Sequence, residues 1–507
     1  MTAARSAVIG LDIGTSAVKG LLIAADGKVV GRASRSQALD VGPGGRVEVD
    51  ARAVGRAARR VIRQLAQRAD RSGLGVRALC AAGSGDEAVF VDEAGDPVGP
   101  VRLSLDLQDG GAGEAISNAI GVDRYRALTG LPVSGAYPLT RFVALRASRP
   151  EAAARVSRLL AWPEALALDL GVDVAGEPSL AARSGAWRID SGAGGGYEPA
   201  ILAVAGVSAD LFPPATTSGA VLGSIPTRIA ASLGLPSGVR MVAGGFDQAM
   251  ATLGAVVVTS GIAHVGAGSW LAMTVLGETR PPTDLVTDGF SIGPSIAADG
   301  RWSIMASGPG TSVLGWLGRV GDQAGDPVRR ISALARRAPD APTGLMVIPD
   351  LGGGAPPRPD PAMRGAITGL GLGDGPDRLA RALLEGVTIG LADRLERAGS
   401  AGLVVGEIRS SGGGARDHAW RRLTADVTGC PVRAVDPPDA GAVAAAALAA
   451  TAVGLAPDVG TAVGRTVRIG RPIEPRPGHH AAYRAIAERT STLRSSLAAL
   501  QRTGPDT

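Results

Sequence analysis

Four short stretches of the chain carry residue types that can do chemistry. The first is Gly10-Leu11-Asp12-Ile13-Gly14-Thr15-Ser16-Ala17-Val18-Lys19-Gly20, with a carboxylate at the end of an apolar run and a Gly/Thr/Ser turn after it. The N–H groups and hydroxyls of such a turn can hold phosphate oxygens, and Asp12 can organise a hydrated Mg²⁺ beside them. The competing reading is a plain turn, since Asp and Gly are ordinary turn formers. The second stretch, Gly266-Ala267-Gly268-Ser269, repeats the pattern between two strand-like runs. Two phosphate-type hairpins in tandem are far more specific than one, and they point to a nucleotide held from both sides of a cleft. The third is Ser411-Gly412-Gly413-Gly414-Ala415-Arg416, after a strand and before a helix. Three glycines let a flat ring come close to the backbone, which suits adenine or ribose at a sheet edge, whereas glycines alone would read as a flexible loop. The fourth is Gly244-Gly245-Phe246-Asp247-Gln248. Asp247 there can take a proton from a hydroxyl attacking a γ-phosphate, or it can be a helix N-cap.

These stretches need elements to position them. Residues 7–11 read as a strand, 12–16 as a turn, 18–23 as a second strand, and 25–28 as a hairpin turn into Val29-Val30. Asp50 then caps a helix whose Val54, Ala57, Ala58, Val61, Ile62 and Leu65 form one apolar face. A buried strand is expected over 76–82. Helices near 114–120, 136–147 and 151–170 alternate with Gly/Pro-rich loops such as 192–196, and 213–236 reads as a connection. A second strand–turn–strand start follows 241–245, with strands near 261–265 and 271–275. From 378 onward helices (378–398, 417–428, 440–453, 481–500) alternate with short strands (407–410, 431–435). The repeat predicts two similar halves, divided between 240 and 241.

Composition narrows the classes. With 507 residues, 45% hydrophobic and 20% charged, the chain fills real cores, and it is too long for one of them. The 74 glycines and 34 prolines follow no Gly-X-Y period, which excludes collagen. The net charge of +5 comes from arginine, because Lys19 and Lys28 are the only lysines among 52 basic residues. The arginines are mixed with 47 acids rather than gathered in a stripe with aromatics, so nucleic-acid binding is not expected. Cys80 and Cys430 stand far apart with no CxxC, so no zinc site is expected and both read as core residues. His479 and His480, after Pro-Gly, read as a solvated loop. The N-terminal apolar run, broken by Asp12, does not read as a signal peptide. The alanine-rich stretch 440–456 reads as a buried helix rather than a membrane span. A cytoplasmic location follows as the simplest expectation.

From about residue 6 to about residue 456 the chain resembles the FGGY-family carbohydrate kinases, nearest to the xylulokinases. The most specific piece is Gly365-Ala366-Ile367-Thr368-Gly369-Leu370, seven residues, then Arg378-Leu379-Ala380-Arg381-Ala382-Leu383-Leu384-Glu385. It fits the family's C-terminal signature except at Arg378, where His or an acid/amide residue is usual. An earlier signature is partly present in Ala136-Tyr137-Pro138-Leu139-Thr140-Arg141, with Arg141 where Lys is usual and Ala144 where Trp is usual.

The resemblance implies an α/β, actin-like ATPase fold: two ribonuclease-H-like domains around a nucleotide/sugar cleft, 1–240 carrying the sugar side and first phosphate loop and 241–507 the rest. It implies ATP and Mg²⁺ as cofactors. Asp12 resembles the metal-organising aspartate. Gly14, Thr15, Ser16 and Lys19, with Gly266, Gly268 and Ser269, resemble the phosphate loops. Gly412, Gly413, Gly414 and Ala415 resemble the adenosine loop, and Asp247 the catalytic base, with Gln248 where Asn is common. The sugar side departs from the family. Xylulokinases show Gly-Gln-Met-His-Gly where this chain has Gly83-Ser84-Gly85-Asp86-Glu87, and of their Trp-Asn-Asp-Gln-Arg segment only Asp106 is kept. Asp86, Glu87 and Asp106 are acceptors that suit the hydroxyls of a ketose or polyol, and Asp86 and Glu87 would repel a sugar acid; the competing reading of Asp86-Glu87 is a solvated turn. The implied activity is ATP-dependent phosphorylation of a terminal hydroxyl of a sugar, a ketopentose such as xylulose or a related ketose or polyol. Alternatives are an actin-like nucleotide switch and a degenerate sugar-binding regulator, neither of which needs Asp247. The expected partner is that small molecule, with no nucleic acid and no membrane; a homodimer is compatible with it.

Overall fold

The protein is described from a computed structural model covering residues 5–42, 46–103, 110–190, 195–297, 300–320 and 326–502. Along the chain come β1 (Ser6–Ile13), β2 (Ala17–Ala24), β3 (Val29–Ser36), α1 (Ala51–Arg71), β4 (Gly75–Gly83), α2 (Trp162–Asp169), β5 (Val221–Ser224) and β6 (Arg240–Val242). Then follow α3 (Asp247–Gly254), β7 (Ile262–Ala267), β8 (Trp270–Gly277), β9 (Ser291–Pro294), β10 (Trp302–Pro309) and α4 (Pro376–Ser400). The last are β11 (Glu407–Ser411), α5 (His418–Thr428), β12 (Val432–Asp436), α6 (Ala440–Ala452), β13 (Arg468–Ile469) and α7 (Pro477–Arg502).

Two compact units result. The first comprises Met1–Val258, Ile292–Ser303 and Asp439–Arg468. Its six-stranded sheet has the order β5-β6-β4-β1-β2-β3. β1 pairs antiparallel with β2, which puts Asp12 opposite Lys19, and parallel with β4, which puts Asp12 beside Ala82. β1 is buried on both faces, as an apolar central strand must be. Alternation sends Ile9, Leu11 and Ile13 to one face, where α1 supplies Val54, Val61, Ile62 and Leu65 to the same core. α1 starts as its sequence predicts, with Asp50 accepting from the Arg52 N–H at 2.9 Å. Gly10 and Asp12 point to the other face, which α6 covers. A Cβ on Gly10 would overlap the carbonyl of Ala442 and reach Ala446. The alanines of α6 and the glycine of β1 are therefore two halves of one close contact.

The second unit comprises Thr259–Ser291, Ile304–Pro438 and Ile469–Thr507. The seven-stranded sheet has the order β9-β10-β8-β7-β11-β12-β13. β7 pairs antiparallel with β8 and parallel with β11, as β1 does with β2 and β4. The two strand–turn–strand starts read from the sequence thus have the same local topology.

Several expectations differ from what is observed. The stretch 213–236 is not a bare connection, because it holds β5, antiparallel to β6, and a helical turn Thr227–Ser232. The division at 240/241 cuts through β6, and residues 241–258 and 439–468 belong with the first unit. The helix expected over 151–170 is interrupted by a strand, Arg158–Leu160, that pairs with Val89–Val91. Helix resumes at α2, with Pro163 in its first turn, where a missing N–H costs nothing. His479 and His480 sit in α7 rather than in a loop, and the ring of His480 bonds the carbonyl of Asp426 at 3.1 Å. Among the described residues no helix is long and apolar enough to cross a membrane.

Candidate active site

The chemistry-bearing groups of the first unit converge at the C-terminal ends of β1 and β4. Asp12 leaves β1 toward α6, where a Cβ on Gly441 would stand 3.3 Å from its carboxyl carbon. Burial raises the pKa of Asp12, with Lys19 opposing and Asp439 adding to the rise. Asp439 itself, just before α6, is held by Arg32 at 2.8 Å. The turn after β1 is closed by the Gly14 N–H on the carbonyl of Ala17 (3.1 Å), and Gln37 Nε2 donates to the carbonyl of Gly14 (3.1 Å). Ser16 is exposed, and Gly14 and Thr15 are half-buried.

Asp247 is reached through two glycines that geometry demands. A Cβ on Gly244 would overlap the carbonyl of Ala81, and one on Gly245 would meet Ile296, Ser179 and Glu177. The turn is then stitched to β4 by the Gly83 N–H on the carbonyl of Gly245 (3.2 Å). Behind it, Ser179 Oγ accepts the Phe246 N–H at 2.9 Å and donates to Glu177, which also accepts from Ser218 Oγ at 2.6 Å. Asp247 begins α3 and accepts the Gln248 N–H at 2.6 Å. Its carboxyl pKa is pushed up to about 8, first by burial, then by the negative charges of Asp12, Glu87 and Asp86. Three carboxylates from two other stretches thus act on Asp247 within a single unit.

The structure alters the reading of the sugar-side residues. Asp86 is not a lone acceptor: Oδ1 takes Arg183 Nε at 2.7 Å and Nη2 at 2.6 Å. The Arg183 guanidinium is nearly buried and lies over the rings of Tyr137 (5.4 Å) and Phe246 (5.1 Å). Its burial there is compensated by the carboxylate and by the two π-faces. Glu87 is fully buried and accepts Trp162 Nε1 at 2.8 Å. Asp106 lies outside the described residues. Arg183 and Asp439 escape a motif search. Asp439 carries only an N-cap-like signal, and Arg183 stands 97 positions from its partner with no pattern linking the two.

In the second unit the turn Gly266–Ser269 joins β7 to β8. It is braced by Thr311, whose N–H and Oγ1 both donate to the carbonyl of Gly268 (2.9 and 3.1 Å), and by the Gly310 N–H on the carbonyl of Ser269 (3.1 Å). Gly412 takes φ +86°, and its Cβ position lies 2.9 Å from the carbonyl of Ala267. A Cβ on Gly414 would overlap the Trp420 ring, and Ala415 is buried. The unit thus sets the second turn and the Gly412–Ala415 segment side by side. Gly413 alone of the three glycines faces open space. His264, under this corner, bonds Ser411 Oγ at 2.8 Å, and burial lowers its pKa to about 4.

Both halves of the chain match one family description. Residues 7–254 match the N-terminal domain, and residues 265–453 the C-terminal domain, of the FGGY family of carbohydrate kinases. The chain belongs to this family. Xylulose kinase of Staphylococcus epidermidis is 25% identical over 504 residues, covering 97% of this chain and 99% of that protein. The crystal structure of xylulose kinase from Rhodospirillum rubrum is 25% identical with a TM-score of 0.83, over 98% of this chain and 100% of that one. Gluconate kinase from Lactobacillus acidophilus has a TM-score of 0.85 at 21% identity, over 97% and 98% of the two chains. The fold of this FGGY kinase is therefore the actin-like ATPase fold, and its reaction is the ATP-dependent phosphorylation of a small-molecule sugar. The alternatives of a nucleotide switch and a degenerate regulator are not favoured.

Proposed function

We propose that this FGGY kinase phosphorylates a terminal hydroxyl of an uncharged ketose or polyol, a ketopentose such as xylulose first among them, with Asp247 as the base. The observation that carries the reading is the crowding of carboxylates around Asp247, a half-buried acid whose proton affinity lies near working pH. That is the condition under which a general base is efficient. Asp247 accepts the hydroxyl proton as the oxygen attacks the γ-phosphoryl of ATP. Asp86 and Gln248 orient the acceptor, Arg183 holds Asp86 in place, and Glu87, buried against Trp162 Nε1, acts on Asp247 through its charge.

Asp12 fits a hydrated Mg²⁺. Its carboxylate is crowded by Asp439 and Asp247, and a divalent cation relieves that repulsion. Mg²⁺ is usually held by one or two carboxylates plus substrate phosphates, and when bound it neutralises charge on them. Asp439 is the second carboxylate on this face. Gly14, Thr15, Ser16 and Lys19, together with Gly266, Gly268 and Ser269, are assigned to the phosphates of ATP. Gly412, Gly413, Gly414 and Ala415 are assigned to the adenosine.

The relatives named xylulose kinase support a ketopentose. Glu87, and Asp247 when it is ionised as the base, disfavour a negatively charged acceptor, whereas the charge of Asp86 is offset by Arg183. The test is ADP release measured with xylulose, other pentuloses, polyols and gluconate. Stimulation by an uncharged ketose or polyol is expected. Gluconate as the best substrate would overturn the charge argument, and no stimulation by any uncharged sugar would overturn the assignment of the acceptor class.

A further inference from the structure

The second unit contains a buried cation that its own carboxylates do not neutralise. Arg394, on α4, is 1% exposed, and its Nε and Nη2 have no hydrogen-bond partner among the described residues although both atoms are shielded from solvent. Two carboxylates lie near, and each is engaged elsewhere. Asp350 takes Arg494, and Asp393 takes Arg358 Nη2 at 2.8 Å. Arg358 Nη1 donates to Ser491 Oγ at 2.6 Å. Two pairs are therefore closed and one positive charge is left over. Burial lowers the Arg394 pKa to about 10, so the side chain stays protonated at neutral pH.

These groups line a small cavity with Pro309 and Gly390. Its free volume of about 10 Å³ is near the least that one water-sized particle needs. A phosphate or sulfate is too large. A water satisfies donors but leaves the charge, and an unpaired buried charge is among the costliest features a fold can carry. From this geometry we infer that Arg394 binds a single monatomic anion of the chloride class through Nε and Nη2, as the internal counter-ion of the second unit. The site is independent of the carboxylates assigned to catalysis. It does adjoin the brace of the Gly266–Ser269 turn, because a Cβ on Gly308 would overlap Arg394 Nη1 and the strand β10 ends at Pro309, next to Gly310.

The probe is bromide on the full chain. Crystals grown in sodium bromide should show an anomalous peak within hydrogen-bond reach of Arg394 Nε and Nη2. In solution, replacing methanesulfonate by roughly 0.2 M chloride at equal ionic strength should raise the melting midpoint by about 2 °C or more. Arg394→Met should abolish that halide response. Absence of the bromide peak overturns the inference, as does a melting midpoint indifferent to halide in the wild type. A halide response that Arg394→Met retains overturns it too. If that variant does not fold, the two wild-type measurements decide.

Discussion

Asp247→Asn should cost activity and add stability, and the added stability should grow with pH. An aspartate normally releases its proton near 3.8, whereas Asp247 in the folded chain holds it to about 8. Between those values the folded state binds more protons than the unfolded state, so the stability this group contributes is fully present below 3.8 and is lost as pH rises through about 8. The shift is about four units, and at about 1.4 kcal/mol per unit the ceiling is about 6 kcal/mol. Asparagine has nothing to ionise and escapes that loss. Allowing half the ceiling for relaxation and water entry leaves about 3 kcal/mol, or about 5 °C in the melting midpoint. The assay is thermal unfolding of wild type and variant from pH 4 to pH 9, with kcat measured in parallel. The variant should match the wild type near pH 4, exceed it progressively toward pH 9, and turn over at least about 100-fold more slowly. A melting difference that does not change with pH would refute the argued proton affinity. Wild-type turnover would remove Asp247 from the mechanism.

Other expectations follow from neighbouring residues. The kcat/KM of the wild type should climb about tenfold per pH unit toward about 8, where the free enzyme's base titrates. Asp12→Asn should shift that limb to lower pH, because a like charge beside Asp247 is gone, and should raise the Mg²⁺ needed for half-maximal rate more than the sugar KM; an unmoved limb with lost sugar affinity would give Asp12 another role. Asp86→Ala removes an acceptor and strands the Arg183 guanidinium, so the sugar KM should rise about tenfold or more while the KM for ATP stays near normal. Gly412→Ala forces a side chain into φ +86° against the carbonyl of Ala267, and should cost about 1–3 kcal/mol of stability and raise the KM for ATP, as unfolding and ATP titrations would show.

What could be read in the sequence was whatever repeats at short range. The apolar face of α1 follows a 3.6-residue period, and Val54, Ala58, Val61, Ile62 and Leu65 are buried as that period requires. β1 and β2, with a polar turn between them, and the alternating helices and strands after 378 were legible for the same reason. β5 and β9, at four residues each, are too short for a period of two to show, and β5 exists because β6 is there to pair with it. At the site, residue types were visible and their charge states were not. Asp86 reads as a free carboxylate until Arg183 is brought to it from 97 positions away. The proton affinity of Asp247 depends on burial and on three acids from other stretches, which no local pattern encodes. The glycines at 244 and 245 are there because β4 and the Glu177 network leave no room for a Cβ, a long-range demand that no local pattern states.

The way α6 closes over β1 bears on how the protein is made. Gly10 leaves the ribosome long before the helix that covers it, Ala440–Ala452. During translation the first sheet must wait, with the Gly10 and Asp12 face bare, while the second unit's strands are synthesised in between. A gene fragment ending before Asp439 encodes strands without their lid, and its product should be retained by chaperones or aggregate, whereas the same fragment co-expressed with a peptide spanning 439–468 should be recovered in soluble form.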